Sequence, residues 1–212
     1  MSKVGIFGCS GMAREVGDIA RDQGLSPVYV VRDLAEAGYL NEGIEYMLES
    51  DVLKHAASME FLIGIGDSAI RKKVYDRFAG QLRFRNLVHS QSSFGWRQRE
   101  LLEQAIGVVV CAGVRMTSRI VVGNFTLFNV NATVSHDCVI EDFAVVSPGV
   151  NISGNVHVQQ GAWIGIGASV KQGTPERKLI IGAGAVVGAG AVVIRDCEPN
   201  GTYIGIPAKR IK

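Results

Sequence analysis

The chain has 212 residues, of which 20% are charged and 47% hydrophobic, and its net charge is +2. That balance leaves no electrostatic footprint for nucleic acid, and the length suits one large domain or two modest ones. Four cysteines, at positions 9, 111, 138 and 197, have no metal-ligand spacing and read as reduced thiols of a cytoplasmic protein. The N-terminus has no signal-peptide pattern. The longest apolar run, Leu179 to Ile194, is broken by glycines. It falls short of the ~18 residues of a spanning helix, so no membrane insertion is expected.

Lys3 to Cys9 reads as a buried strand that runs into a loop, Gly8-Cys9-Ser10-Gly11. Residues 12–23 carry helical spacing at Val16, Ile19 and Ala20, with Gly24 at the stop position. Val28 to Val31 makes a second strand that ends at Arg32-Asp33. Strand, glycine loop, helix and strand open a Rossmann-like unit, although Ile6 stands where the full dinucleotide fingerprint has its first glycine. A glycine loop feeding a helix offers free backbone N–H groups and a positive dipole end to a phosphate. Asp33, 22 residues past Gly11, stands where an acid can bond a ribose. The plainer alternative is a turn that simply needs glycine.

A polar stretch with a short helix at 49–57 leads to a third strand, Phe61 to Ile65, ending in Gly66-Asp67. A basic helix over 69–78 carries Arg71, Lys72, Lys73 and Arg77. Arg71 either reaches a phosphate or belongs to a solvated face. Residues 82–88 are expected as the last strand of this domain, and 89–93 as a linker. A domain of residues 1–88 is short for a complete dinucleotide fold and suits a mononucleotide.

Residues 89–212 form the second predicted domain, and most of it repeats in sixes. Val110, Met116, Val122, Phe128, Val134, Ile140, Val146, Ile152, Val158, Ile164 and Val170 are all apolar. The phase slips by one residue and resumes at Ile181, Val187 and Val193. Two places before each stands a small or β-branched residue almost throughout, from Val108 to Ala191. A period of six fits neither a helix nor a continuous alternating strand. It fits short strands joined by corners, the signature of a parallel β-helix. One coil cannot bury its own inner face, so only the stack is stable.

This stretch resembles the hexapeptide-repeat acyltransferases, which implies a left-handed β-helix of triangular section. With the N-terminal unit included, the chain resembles the sugar O-acyltransferases of the sialic acid O-acetyltransferase type. It also resembles their relatives, the N-acetyltransferases of nucleotide-linked 4-amino sugars (bacillosamine and perosamine biosynthesis). The matching pieces are Ile6 to Gly11, Ile65-Gly66-Asp67 with Ile70 to Tyr75, Val134 to Phe143, and the tail Gly205-Ile206-Pro207-Ala208-Lys209. The implied fold class is α/β plus β, a small Rossmann-like domain followed by the coil.

The resemblance implies an acetyltransferase that uses acetyl-CoA, with no metal, as a homotrimer with sites between subunits. In it, His136 is the general base and Asp137 the acid that supports it. Attack on a thioester needs an unprotonated amine or a deprotonating hydroxyl, and imidazole is suited to taking that proton. Ser10, Gly11, Met12, Arg32, Asp33, Gly66 and Asn129 carry over as nucleotide-sugar contacts. Val145, Gly154, Ile166 and Ala183 carry over to the acetyl-CoA channel. Lys171, Arg177 and Lys178, in the loop where the hexads slip, either meet its phosphates or only keep an extended loop soluble. Three positions depart from relatives: Met12 and Val145 replace histidines, and Arg32 replaces an acid. His157, next to an inward residue, is expected on the surface. Residues 94–105 look less regular, so an irregular first coil is expected.

The leading expectation is N-acetylation of a nucleotide-linked 4-amino-4,6-dideoxy sugar, by direct transfer, in glycan biosynthesis. O-acetylation of a sugar of the sialic acid type is the nearest alternative. A non-catalytic nucleotide-sugar-binding or regulatory protein is the alternative of another class.

Overall fold

A computed structural model describes residues 2–40 and 42–212. The N-terminal part begins with β1 (Lys3–Phe7), α1 (Gly11–Asp22) and β2 (Ser26–Val31). It continues with α2 (Leu34–Ala37), β3 (Tyr46–Leu48), a 3₁₀ turn over Glu49–His55, β4 (Glu60–Ile63) and α3 (Ser68–Phe78). The four strands are parallel, in the order β3-β2-β1-β4. That order reverses direction between β1 and β4, and in such sheets ligands bind beyond the strand ends at the reversal. The loops there are 8–10 and 64–67.

α1 buries Ala13, Val16, Gly17, Ile19 and Ala20, a stripe of helical spacing. Gly17 is required, because a Cβ there would lie 2.0 Å from the Tyr29 hydroxyl. α2 and β3 lie in the stretch that the sequence left as polar, and Asp33 caps α2 by accepting from the Glu36 amide.

The rest of the chain winds into a parallel β-helix with three faces. The first face stacks strands from Leu87–Val88 to Val186–Val187 and then Thr202–Ile204; the second runs from Ser93–Phe94 to Val192–Val193. The third holds Val121–Val122, Val139–Ile140, Val156–Val158 and Leu179–Ile181. Both inward sets of the hexads, Val110 to Val193 and Val108 to Ala191, are buried, and nearly all of them join one continuous core.

Two expectations need correction. Residues 82–88 are not a fourth sheet strand: only Phe84 bridges to Phe61, whereas Leu87–Val88 pair with Val109–Val110 of the coil. The expected linker likewise joins the coil, Ser93–Phe94 pairing with Arg115–Met116. The reason is that Leu87 already carries the inward–outward alternation of the coil face. The irregular first coil is present as α4 (Gln98–Leu102), which replaces a strand of the third face. Gln98 is fully buried; its Oε1 accepts from the Ile120 N–H and its Nε2 donates to the Ile120 carbonyl, both at 2.8 Å. A side-chain amide thus supplies the hydrogen bonds of the missing strand.

The first face turns Val109, Leu127 and Val145 outward, where they pack with Val16, Ile19 and Tyr29 of the N-terminal part. A second apolar cluster joins Phe125 and Phe143 of the coil to Phe7, Phe61 and Phe78. Arg71 pins this junction. It is 2% exposed and donates to the carbonyls of Ile65, Gly66, Phe125 and Phe143 at 2.8–2.9 Å. The expectation of a phosphate contact or a solvated face is therefore overturned, because the guanidinium is spent on backbone oxygens. Burial pushes its pKa down to about 10, with Asp67 opposing, so it stays charged at neutral pH. No helix among the described residues is long and apolar enough to cross a membrane.

Arg71→Met leaves these buried carbonyls unpaired, each such group costing about 1–3 kcal/mol. Urea unfolding should show a midpoint well below that of the wild type; an unchanged midpoint contradicts the pin.

Candidate active site

Most corners of the coil end in a residue of left-handed conformation. Along the second corner, between the second and third faces, these are Arg119 (φ 60°), Asp137 (φ 59°) and Asn155 (φ 57°). Asp and Asn accept that region more readily than most residues. At position 137 it turns the carboxylate back towards its own neighbour. His136 Nδ1 and Asp137 Oδ2 are 2.8 Å apart. An ionised carboxylate only accepts, so Nδ1 carries the proton and Nε2 presents its lone pair outward. The hydrogen bond from His136, helped by the nearby Arg119 charge, holds the Asp137 carboxyl below the usual carboxylate range.

Three further groups brace the pair. Arg119, one coil earlier, places Nε 2.9 Å from Asp137 Oδ1. Lys178 donates to the Asp137 carbonyl. Gly154, one coil later, lies against the imidazole: a Cβ there would stand 2.6 Å from His136 Cε1 and 2.7 Å from Nε2. Of the cations expected to meet phosphates, Lys178 is committed to this corner and Arg177 is paired with Asp196 at 2.7 Å. Lys171 is exposed. His157 is half-buried rather than free on the surface, its Nε2 2.5 Å from Glu141 Oε1. Burial raises the Cys138 thiol, which lies behind the corner.

The other expected residues gather elsewhere. A cleft of about 340 Å³ opens beyond the ends of β1 and β2, lined by Gly8, Cys9, Ser10, Arg32, Glu36 and Lys73 among others. Ser10 makes no side-chain cap, so the first amides of α1 remain open to an anion. Arg32 bonds Glu36 through Nε at 2.9 Å. Asp33 does not line this cleft; its carboxylate serves as the α2 cap. Glu36, Lys73 and Arg77 were not singled out for a site from the sequence; the helix of Lys73 and Arg77 could be read there, but not the side that faces β1, and the α2 turn that carries Glu36 could not be read.

A groove of about 330 Å³ runs beside the cleft, lined by Met12, Gly66, Asn129, Val145, Trp163 and Ile166 among others. Met12 lies in the first turn of α1, just past its N-cap Ser10, and Gly66 follows Ile65 in the loop after β4, so the cleft and the groove share a rim. Trp163 and Ser147 were missed. The indole Nε1 donates to Ser147 Oγ at 3.0 Å, and a large aromatic at an outward hexad position was the available signal.

The structure does not bring all candidates together within one chain. Asn129, Ser147 and Gly165 follow first-face strands, whereas His136 and Gly154 follow second-face strands. Ala183 stands at the third corner, its N–H taken by Gln159 Oε1 at 3.0 Å. His136 and the groove are thus separated by the width of the second face. Among the described residues no cluster of His, Cys, Asp or Glu could hold a metal ion.

Comparisons with known proteins bear on this arrangement. Residues 3–78 match the PglD N-terminal domain family. Over its whole length the chain is 30% identical to the GDP-perosamine N-acetyltransferase of Escherichia coli O157:H7, covering 97% of that protein. The chain belongs to the nucleotide-amino-sugar acetyltransferase family. Its coil is the left-handed hexapeptide-repeat β-helix of that family. WeeI from Acinetobacter baumannii AYE superimposes with a TM-score of 0.87 at 29% identity, over 99% of this chain and 100% of that one. PerB from Caulobacter crescentus, solved with CoA and GDP-perosamine, gives a TM-score of 0.84 at 25% identity, over 100% and 98% of the two chains.

Gly154 is not in a left-handed conformation, so Gly154→Ala tests crowding of the imidazole without backbone strain. Acetyl-transfer turnover should fall about 100-fold through displacement of the His136 imidazole, with thermal stability nearly unchanged. Wild-type turnover in this variant would remove Gly154 from the account.

Proposed function

We propose that the chain transfers the acetyl group of acetyl-CoA to the amino group of a nucleotide-linked 4-amino-4,6-dideoxy sugar. The observation that carries this reading is the shared rim of cleft and groove. A nucleotide diphosphate held at the open amides of α1 directs its sugar past Met12 and Gly66 towards Asn129. The groove floor, with Val145, Trp163 and Ile166, is apolar and suits the pantetheine arm of acetyl-CoA. Both ligands occur together in PerB.

His136 is the general base. Its Nε2 takes a proton from the amine as the nitrogen attacks the thioester carbonyl. Asp137, with Arg119 and Lys178 behind it, holds the tautomer and stabilises the imidazolium. The bond formed is the amide C–N, the bond broken is C–S, and CoA leaves as the thiol. No covalent acyl-enzyme is required.

Because His136 and the groove lie on different corners, the working unit is a homotrimer in which one copy's second corner faces the next copy's groove. Cyclic trimers supply three such equivalent contacts. The buried free cysteines suit a reducing cytoplasm.

The experiment is release of CoA thiol from acetyl-CoA with a panel of UDP- and GDP-linked 4-amino sugars. Turnover with an amino sugar, falling by about 10²–10⁴ in His136→Ala with little change in KM, is the expected result. Equal turnover in wild type and variant, or none with any acceptor, contradicts it.

A further inference from the structure

The second corner carries more than the catalytic pair. One coil before His136 it presents Arg119, and two coils before, Trp96-Arg97. Trp96 is 83% exposed, and the Arg97 guanidinium lies 5.4 Å from its ring centroid. Tryptophan and arginine are among the residue types enriched at the energetic centres of protein interfaces.

α1 runs along the first corner in the opposite sense to the coil. Met12 lies at the groove beside Asn129, while Asp22 accepts from the Ser90 amide at 2.8 Å, at the first coil. Between them a pocket of about 170 Å³ is lined by Glu15, Asp18, Ile19, His89 and Val130 among others. Glu15 is exposed and has no ion-pair partner among the described residues.

The two edges share a register. Successive coils are ~4.8 Å apart, and three residues of an α-helix rise ~4.5 Å. A cyclic assembly about an axis along the coil keeps equal coils level. With His136 level with Met12, as the proposed function requires, Arg119 falls beside Glu15 of the next copy. Trp96-Arg97 falls beside its Asp18-Ile19. Arg119, which holds Asp137 within its own chain, meets the Glu15 carboxylate, and the indole meets the pocket. Arg97 and Asp18, paired within their own chains with Glu100 and Arg21, add exposed opposite charge beside it.

We propose that the Trp96–Arg97–Arg119 edge of one copy docks on α1 of the next, with Trp96 seated in the Glu15–Asp18–Ile19 pocket. This inference rests on the shared-site reading above and adds the contact that sets its alignment. By fixing the neighbour's α1, the contact also fixes Met12 and the phosphate loop opposite His136.

The test is a Trp96→Cys/Asp18→Cys double variant of the full chain under mild oxidation. The native cysteines are buried and give little background. In one chain the two positions lie at different corners, so a disulfide can form only between copies. Covalent dimers and trimers on a denaturing gel, absent from either single variant, are expected. In parallel, Trp96→Ala should raise the concentration of half-dissociation by about tenfold or more in sedimentation. Absence of cross-linking in a protein that is still trimeric and still acetylates an amino sugar overturns the docking and leaves the function intact. Cross-linking in a protein that transfers nothing supports the docking and counts against the function instead. A monomer at micromolar concentration overturns the docking outright.

Discussion

Stacking of the coils is the constraint on which the rest depends. With three hexads per coil, each residue of the regular coils stands beside the one 18 places along the chain, as Thr133 does with Asn151. This places Gly154 on His136, Arg119 on Asp137, and Asn129, Ser147 and Gly165 in one column. It also lines up Val109, Leu127 and Val145 as the apolar strip on which α1 sits. A one-residue shift would break the bracing of the His136–Asp137 pair and the domain junction together, because both are written in the same period.

Arg71 connects the two parts of the site. It holds the Gly66 loop, which forms one wall of the groove, and the Phe125 and Phe143 carbonyls, which precede Leu127 and Val145 on its floor. An arginine with no carboxylate partner but several carbonyls is a costly arrangement to bury. Its effect is to keep the cleft and the groove in a fixed relation, so that a ligand bound in one has a defined reach into the other.

The coil and its inward residues were legible because burial enforces the hexads at every rung. His136-Asp137 was legible through a corner motif whose geometry the left-handed Asp137 explains. The N-terminal sheet was readable in its three longer strands, whereas β3 was hidden in a stretch with little apolar pattern. Arg71 was misread because a basic helix gives no sign that one of its four cations faces inward. The roles of Glu36 and Trp163 required tertiary contacts that no local pattern encodes. The strand Leu87–Val88 was assigned to the wrong partner because its alternation fits either sheet.

The central claim is that one site is built from two copies, and co-expressed variants test it most directly. His136→Ala removes the base from a corner, and Gly11→Glu places a repelling carboxylate at the phosphate loop. Each variant alone should be nearly inactive. Mixed trimers should recover about one quarter of wild-type turnover, since random association pairs an intact corner with an intact groove at that frequency. No recovery, with mixed trimers demonstrably formed, would show that base and groove act within one chain and would contradict the account.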